Sequence, residues 1–225
     1  MIGEVASFDA LLNAPWCDGV CALTWRRSLA GDYNAVAAAI GPIAEITSLD
    51  EEALLGLRLD PAGALAREQL LADLQMLRAA GLDPSLDAIP AQPRAAPEAP
   101  LVTDVYSWHV DSATDETDTW LCSYNVAGTE ALPSAMARRY VDIPETRAKL
   151  LQHYGGADDD GFRDFLREHY YDLHYAAVAG ARPVSFGLGH LWRIATRWPG
   201  CPVPPCVHRA PIIPPDSLPR LLLIC

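Results

Sequence analysis

A chain of 225 residues, 50% of them hydrophobic and 20% charged, is too apolar to stay disordered and has ample material for a buried core. Its 29 acidic residues against 17 basic ones give a formal net charge of -12, which disfavours nucleic acid and anionic membrane surfaces as partners, because both require a basic face. There is no run of about 18 apolar residues to cross a bilayer, and the start, Met1 to Asp9, lacks the basic and apolar regions of a secretory signal, so a cytoplasmic location is expected.

The first part, residues 1–82, reads as mostly helical, with Cys21 to Trp25 as a short strand. Its clearest helix runs from Pro61 to Ala80. Asp60 is placed to cap it, Pro61 suits the first turn and Gly81 suits the stop. Leu70, Leu74 and Leu77 share one side, as an amphipathic helix requires. Residues 83–100 carry Pro84, Pro90, Pro93, Pro97 and Pro100 and are expected to be a linker, since proline removes ladder and helix donors alike.

Residues 101–225 change character. Leu101 to Trp108 and Thr119 to Val126 read as strands, separated by an acidic, Thr-rich loop from Ser112 to Asp118. A helix is expected over about Asp159 to Val178. Short strands then return at 183–186, 190–195, 205–208 and 218–224, punctuated by glycine and proline. Several short strands with turn signals suggest an antiparallel sandwich or barrel.

The residues with chemistry cluster in this second part. In an extended segment, residues i and i+2 face the same way. His109 and Asp111 therefore project together from Trp108-His-Val-Asp111. An imidazole and a carboxylate on one face are two members of a 2-His-1-carboxylate site, which leaves open positions on Fe(II). His208, after a strand-like segment, is the candidate third ligand. Arg220, twelve residues later, begins the last strand and could hold a carboxylate through two parallel hydrogen bonds. Arg209 is its rival for that role, and Tyr124 could reach the same ligand from a neighbouring strand. Without metal, the same residues would read as a His–Asp pair bracing a strand end and an arginine paired on an acidic surface.

Other chemistries have less support. Cys17 and Cys21 with Cys201 and Cys206 could ligate zinc, but the spacing is loose and buried reduced thiols are the preferred reading. His169 and His174 lie five apart, out of register for a helical metal pair. Phosphate-binding, dinucleotide-binding and nucleophile-elbow motifs are absent from the sequence, and Lys149 is its single lysine.

The order His-x-Asp, then His about a hundred residues on, then Arg about a dozen further, resembles that of Fe(II)/2-oxoglutarate-dependent oxygenases. The chain also resembles a bacterial family labelled domain of unknown function 1826. Four blocks carry that likeness: Cys21 to Arg27; His109-Val-Asp111 with Leu121 to Pro133; Gly189 to Gly200; and Val207 to Pro211 with Arg220 to Leu223. It departs from the family pattern at Asn125, Ala127, Ala131, His190 and Ala210, around the expected ligands rather than on them. The resemblance implies an α+β protein whose second part, 101–225, is a double-stranded β-helix, a cupin-like jelly-roll barrel, braced by helices from the first. It implies a dioxygenase with iron held by His109, Asp111 and His208, and 2-oxoglutarate as co-substrate beside Arg220. O2 would then serve to hydroxylate or desaturate a small-molecule or peptide substrate. The alternatives are a cupin-like metal protein without 2-oxoglutarate chemistry, in zinc handling or as a co-substrate-free enzyme, and a metal-free interaction domain.

Overall fold

The structure is a computed structural model that describes residues 2–91 and 100–225. The first part supplies β1 (Ile2–Val5), α1 (Phe8–Asn13), β2 (Ala22–Trp25), α2 (Tyr33–Ile40), β3 (Thr47–Ser48), α3 (Glu51–Gly56), α4 (Pro61–Ala79) and β4 (Ser85–Ile89). The second part supplies β5 (Asp118–Ser123), β6 (Glu130–Leu132), β7 (Ala137–Arg139), α5 (Pro144–Tyr154), α6 (Asp160–Glu168) and β8 (Tyr175–Ala177). It ends with β9 (Val184–Ser185), β10 (Leu191–Ala195), β11 (Val207–Arg209) and β12 (Arg220–Ile224).

The result is a mixed α+β fold built on a seven-stranded sheet of order β1-β2-β10-β5-β12-β4-β3. Every pairing in it is antiparallel except β1 with β2. Alternation along the strands gives the sheet two apolar faces. Trp120, Cys122, Leu221, Leu223, Leu86 and Ala88 pack against the helices, with Leu70, Leu74 and Leu77 of α4 facing them. Those three leucines are at most 2% exposed, and each contributes about 1.5–3 kcal/mol by leaving water. Leu121, Leu222, Trp192 and Ile194 point the other way, toward Ala131, Phe186 and Cys206 around a three-stranded sheet of order β11-β6-β9. The two sheets thus lie face to face, with helices on the outer side of the larger one.

The α4 helix starts and stops where its sequence suggests. Asp60 accepts a 2.7 Å hydrogen bond from the Gly63 N–H, and Gly81 takes a φ of 81° that a side chain would resist. Three other expectations are corrected. Ser85–Ile89, inside the expected linker, is a strand between β12 and β3; Pro84 and Pro90 flank it without interrupting its ladder. The rest of that stretch, 92–99, lies outside the described residues. Leu101 to Trp108 is a turn rather than a strand, because Asp104 Oδ1 accepts from Tyr106 N, Ser107 N and Ser107 Oγ and curls the chain. The helix expected to Val178 ends at Glu168, where Tyr170 takes φ 58°, and the chain re-emerges as β8. Among the described residues, no helix is long and apolar enough to cross a membrane.

Candidate metal centre

His109 is held by backbone on both sides. It exchanges two 2.9 Å hydrogen bonds with His208 of β11. On its other side, Val110 N donates to Leu173 O at 3.0 Å and Tyr175 N to Trp108 O at 2.8 Å. Two residues on, the Asp111 carbonyl accepts from Arg197 N at 2.8 Å, which ties Asp111 to the end of β10. The i, i+2 rule thus operates in a segment too short to count as a strand, because neighbours on each side keep it extended.

The side chains converge. His109 Nε2 lies 4.0 Å from Asp111 Oδ1, and His208 Nε2 lies 3.6 Å from Asp111 Oδ2. One ligand atom from each residue falls within 4.8 Å of the others, and among the described residues this is the one such cluster of three or more potential ligands. Both imidazoles are aimed by main chain: His109 Nδ1 meets Ser107 O at 2.8 Å, and His208 Nδ1 meets Cys206 O at 3.1 Å. A carbonyl only accepts, so each Nδ1 carries a proton and each Nε2 is the ring nitrogen turned toward Asp111. Burial, reinforced by the neighbouring His208, holds His109 down to about 4 from an ordinary 6.5, so its ring is neutral near pH 7.

Asp111 is oriented by hydroxyls. Thr119 Oγ1, at the start of β5, donates to Asp111 Oδ2 at 2.6 Å and lies 3.1 Å from Thr196 Oγ1. With its one hydrogen given to the carboxylate, Thr119 accepts from Thr196. Two imidazole nitrogens and one braced carboxylate form a donor set suited to Fe(II) or Zn(II), with partners behind each side chain that fix its direction. His174 stacks beside His109, ring centroids 5.7 Å apart, but belongs outside the cluster.

A cavity of about 420 Å³ opens between the sheets, and His109, Asp111, His208 and Arg220 all line it. Its walls are mostly apolar, with Ile89, Leu121, Leu222 and Ile224 from the large sheet and Val105 and Ile213 from loops; Asp87 and Tyr106 line it as well. Arg220 is 4% exposed. Its Nη2 donates to Ser123 Oγ and Thr129 Oγ1, both at 2.8 Å, and its Nε to Ala127 O at 3.2 Å. Among the described residues no carboxylate pairs with it, and Nη1 keeps both hydrogens without a protein partner. Burial accordingly pushes the guanidinium down to about 10. Thr129 follows Gly128, which passes so close to Gly187 that a Cβ there would lie 2.4 Å from the Gly187 carbonyl.

The other two residues expected beside the co-substrate lie elsewhere. Tyr124 follows Trp120 and Cys122 onto the helix face, where its hydroxyl donates to Asp73 Oδ2 at 2.6 Å. Asp73 also forms a buried two-bond pair with Arg27, so Tyr124 completes a core polar network. Arg209 alternates away from its neighbour His208, pairs with Glu130 at 2.7 Å and covers the Trp108 ring. Cys17, Cys21, Cys201 and Cys206 do not gather as four ligands: Cys17 is exposed while Cys21 and Cys206 are buried, and no cysteine joins a cluster of three potential ligands among the described residues.

Thr119, Thr196, Ser123 and Thr129 went unmarked in the sequence. Hydroxyl residues in strands are too common to signal a role without knowing which strands meet. No family model matches the chain, nor does any curated protein or solved structure.

Proposed function

We propose that this protein is a mononuclear non-haem Fe(II) oxygenase that uses 2-oxoglutarate and O2 to hydroxylate or desaturate a small-molecule or peptide substrate. One observation carries the reading: a His/Asp/His cluster and a buried arginine with no carboxylate partner among the described residues share one largely apolar cavity. The two facing sheets support assigning the fold as a double-stranded β-helix of the cupin-like, jelly-roll kind. The four sequence blocks support kinship with the bacterial family 1826.

His109, His208 and Asp111 would hold the iron, with Thr119 and the carbonyls of Ser107 and Cys206 keeping the ligand atoms aimed. Arg220 would bind the distal carboxylate of 2-oxoglutarate through Nη1, a charge-assisted contact made stronger by its dry surroundings. Leu121 and Leu222 would cover the methylenes between and exclude water. Iron held there would supply O2 activation coupled to oxidation of the co-substrate, while the residues named above would supply position and dryness.

The test is succinate formation from 2-oxoglutarate in the presence of Fe(II) and O2. Turnover that disappears in Asp111→Ala supports the proposal. Turnover that persists in that variant, or a protein that binds zinc tightly and ignores 2-oxoglutarate, overturns it. The second of those results would establish the metal-handling or co-substrate-free alternative.

A further inference from the structure

Cys21 and Cys206 are 185 positions apart in sequence, yet both bond to one residue of β10. Ala195 N donates to Cys21 O at 2.9 Å, and Cys206 N donates to Ala195 O at 2.9 Å. The N–H and C=O of a single strand residue point to the same side, so the two cysteines meet on one flank of Ala195. They share a core cluster and line the same cavity of about 190 Å³, together with Ala22, Ala131 and Val184. Cys206 is 1% exposed and Cys21 7%. Cys206 is also the residue whose carbonyl aims the His208 ring, at 3.1 Å.

We propose that Cys21 and Cys206 form a reversible peroxide-sensitive disulfide that switches His208 out of its metal-binding orientation. The reactants are the two thiols and hydrogen peroxide. The Cys21 sulfur attacks one peroxide oxygen, the O–O bond breaks, and a sulfenic acid forms with release of water. The Cys206 sulfur then attacks the Cys21 sulfur, the S–O bond breaks, and a second water leaves with the Cys206 proton. Two thiols are oxidised to one disulfide while one peroxide is reduced to two waters.

The cavity gives a small oxidant access to sulfurs that bulk solvent barely reaches. A side-chain hydrogen bond with Cys206 lowers the Cys21 thiol, against burial, which pushes it up. Cys21, the more exposed of the pair, is the attacking group and the more deeply buried Cys206 the resolving one. An S–S bond of about 2.05 Å is much shorter than a thiol–thiol hydrogen bond, so closure draws the Cys206 backbone toward Cys21. The carbonyl two residues before His208 moves with it, and the Nδ1–H contact that aims Nε2 is lost.

The experiment uses metal-free, reduced, full-length protein and one equivalent of hydrogen peroxide. The product is denatured in N-ethylmaleimide, digested and mapped by mass spectrometry. A parallel sample is titrated with Co(II) before and after reduction with dithiothreitol. The expected result is a Cys21–Cys206 crosslink and about tenfold or greater loss of Co(II) affinity, the scale at which orienting partners act. Dithiothreitol reverses both. Cys21→Ser binds Co(II) like the reduced protein and no longer responds to peroxide. If Cys21 and Cys206 both stay alkylatable, or the bridge forms through Cys201, the proposal falls. It falls equally if the crosslinked protein binds Co(II) undiminished. The mapping requires neither iron nor 2-oxoglutarate, so its outcome stands apart from that of the oxygenase assignment.

Discussion

His109 and His208 exchange both of their backbone hydrogen bonds, each 2.9 Å long. The main chain therefore brings together two imidazoles from opposite ends of the second part of the protein before any metal is bound. Each ring then turns its Nδ1–H to a carbonyl two residues earlier, and both Nε2 atoms face Asp111. If the cluster takes up the proposed ion, little ordering of these rings is left to do.

Thr119 should matter to metal binding although it touches no metal position. Thr119→Val removes the 2.6 Å hydrogen bond to Asp111 Oδ2 and leaves the carboxylate free to rotate. Loss of such a partner costs about 10–100-fold in metal affinity. Co(II) titration of the folded variant checks this, and unchanged affinity would contradict it.

Two aspartates should separate binding from stability. Asp73 is 2% exposed and takes hydrogen bonds from Arg27, Tyr124 and Gln69. Asp73→Ala leaves a buried guanidinium unpaired and should cost about 3–5 kcal/mol in urea unfolding. Asp111, at the cavity with a third of its side chain exposed, is less tightly built in. Asp111→Ala should remove metal binding while the metal-free fold loses about 1 kcal/mol or less. Similar stability losses in the two variants would contradict this division.

His109 gives the metal-free protein a defined acid sensitivity. Its folded-state ring is held down to about 4, chiefly by burial, whereas the unfolded chain titrates near 6.5. Between those values the unfolded state binds a proton that the folded state refuses. Stability is therefore lost as pH falls from about 6.5 toward 4. His109→Phe should flatten that part of the stability–pH curve. Urea unfolding of both proteins across this range tests it, and parallel curves would contradict it.

Much of the centre was legible in the sequence because it depends on short-range rules. The i, i+2 alternation placed His109 beside Asp111, and the spacing from His208 marked Arg220 at the start of the last strand, where it lines the same cavity. Tyr124 shows where that reading fails. Its strand was recognised, but the face it occupies depends on which side the helices cover, and Asp73 on α4 decides that. Arg209 was misplaced for a related reason: one residue after His208 in an extended strand must point the other way. β4 was hidden because its flanking prolines resemble a linker, and only pairing with β12 and β3 reveals Ser85–Ile89 as a strand. The turn at Asp104 and the break at Tyr170 come from local hydrogen bonds and a positive φ that hydrophobic periodicity does not register.

The most direct test of the oxygenase assignment is an anaerobic Fe(II) titration of the metal-free protein, followed by 2-oxoglutarate, with the visible spectrum recorded throughout. The predicted result is one Fe(II) per chain and a new charge-transfer band that appears with 2-oxoglutarate. In Arg220→Met the iron should still bind, and the band should need about tenfold or more 2-oxoglutarate, as expected for loss of a charged hydrogen bond. No band at saturating 2-oxoglutarate, or the same 2-oxoglutarate affinity in Arg220→Met, would contradict the account.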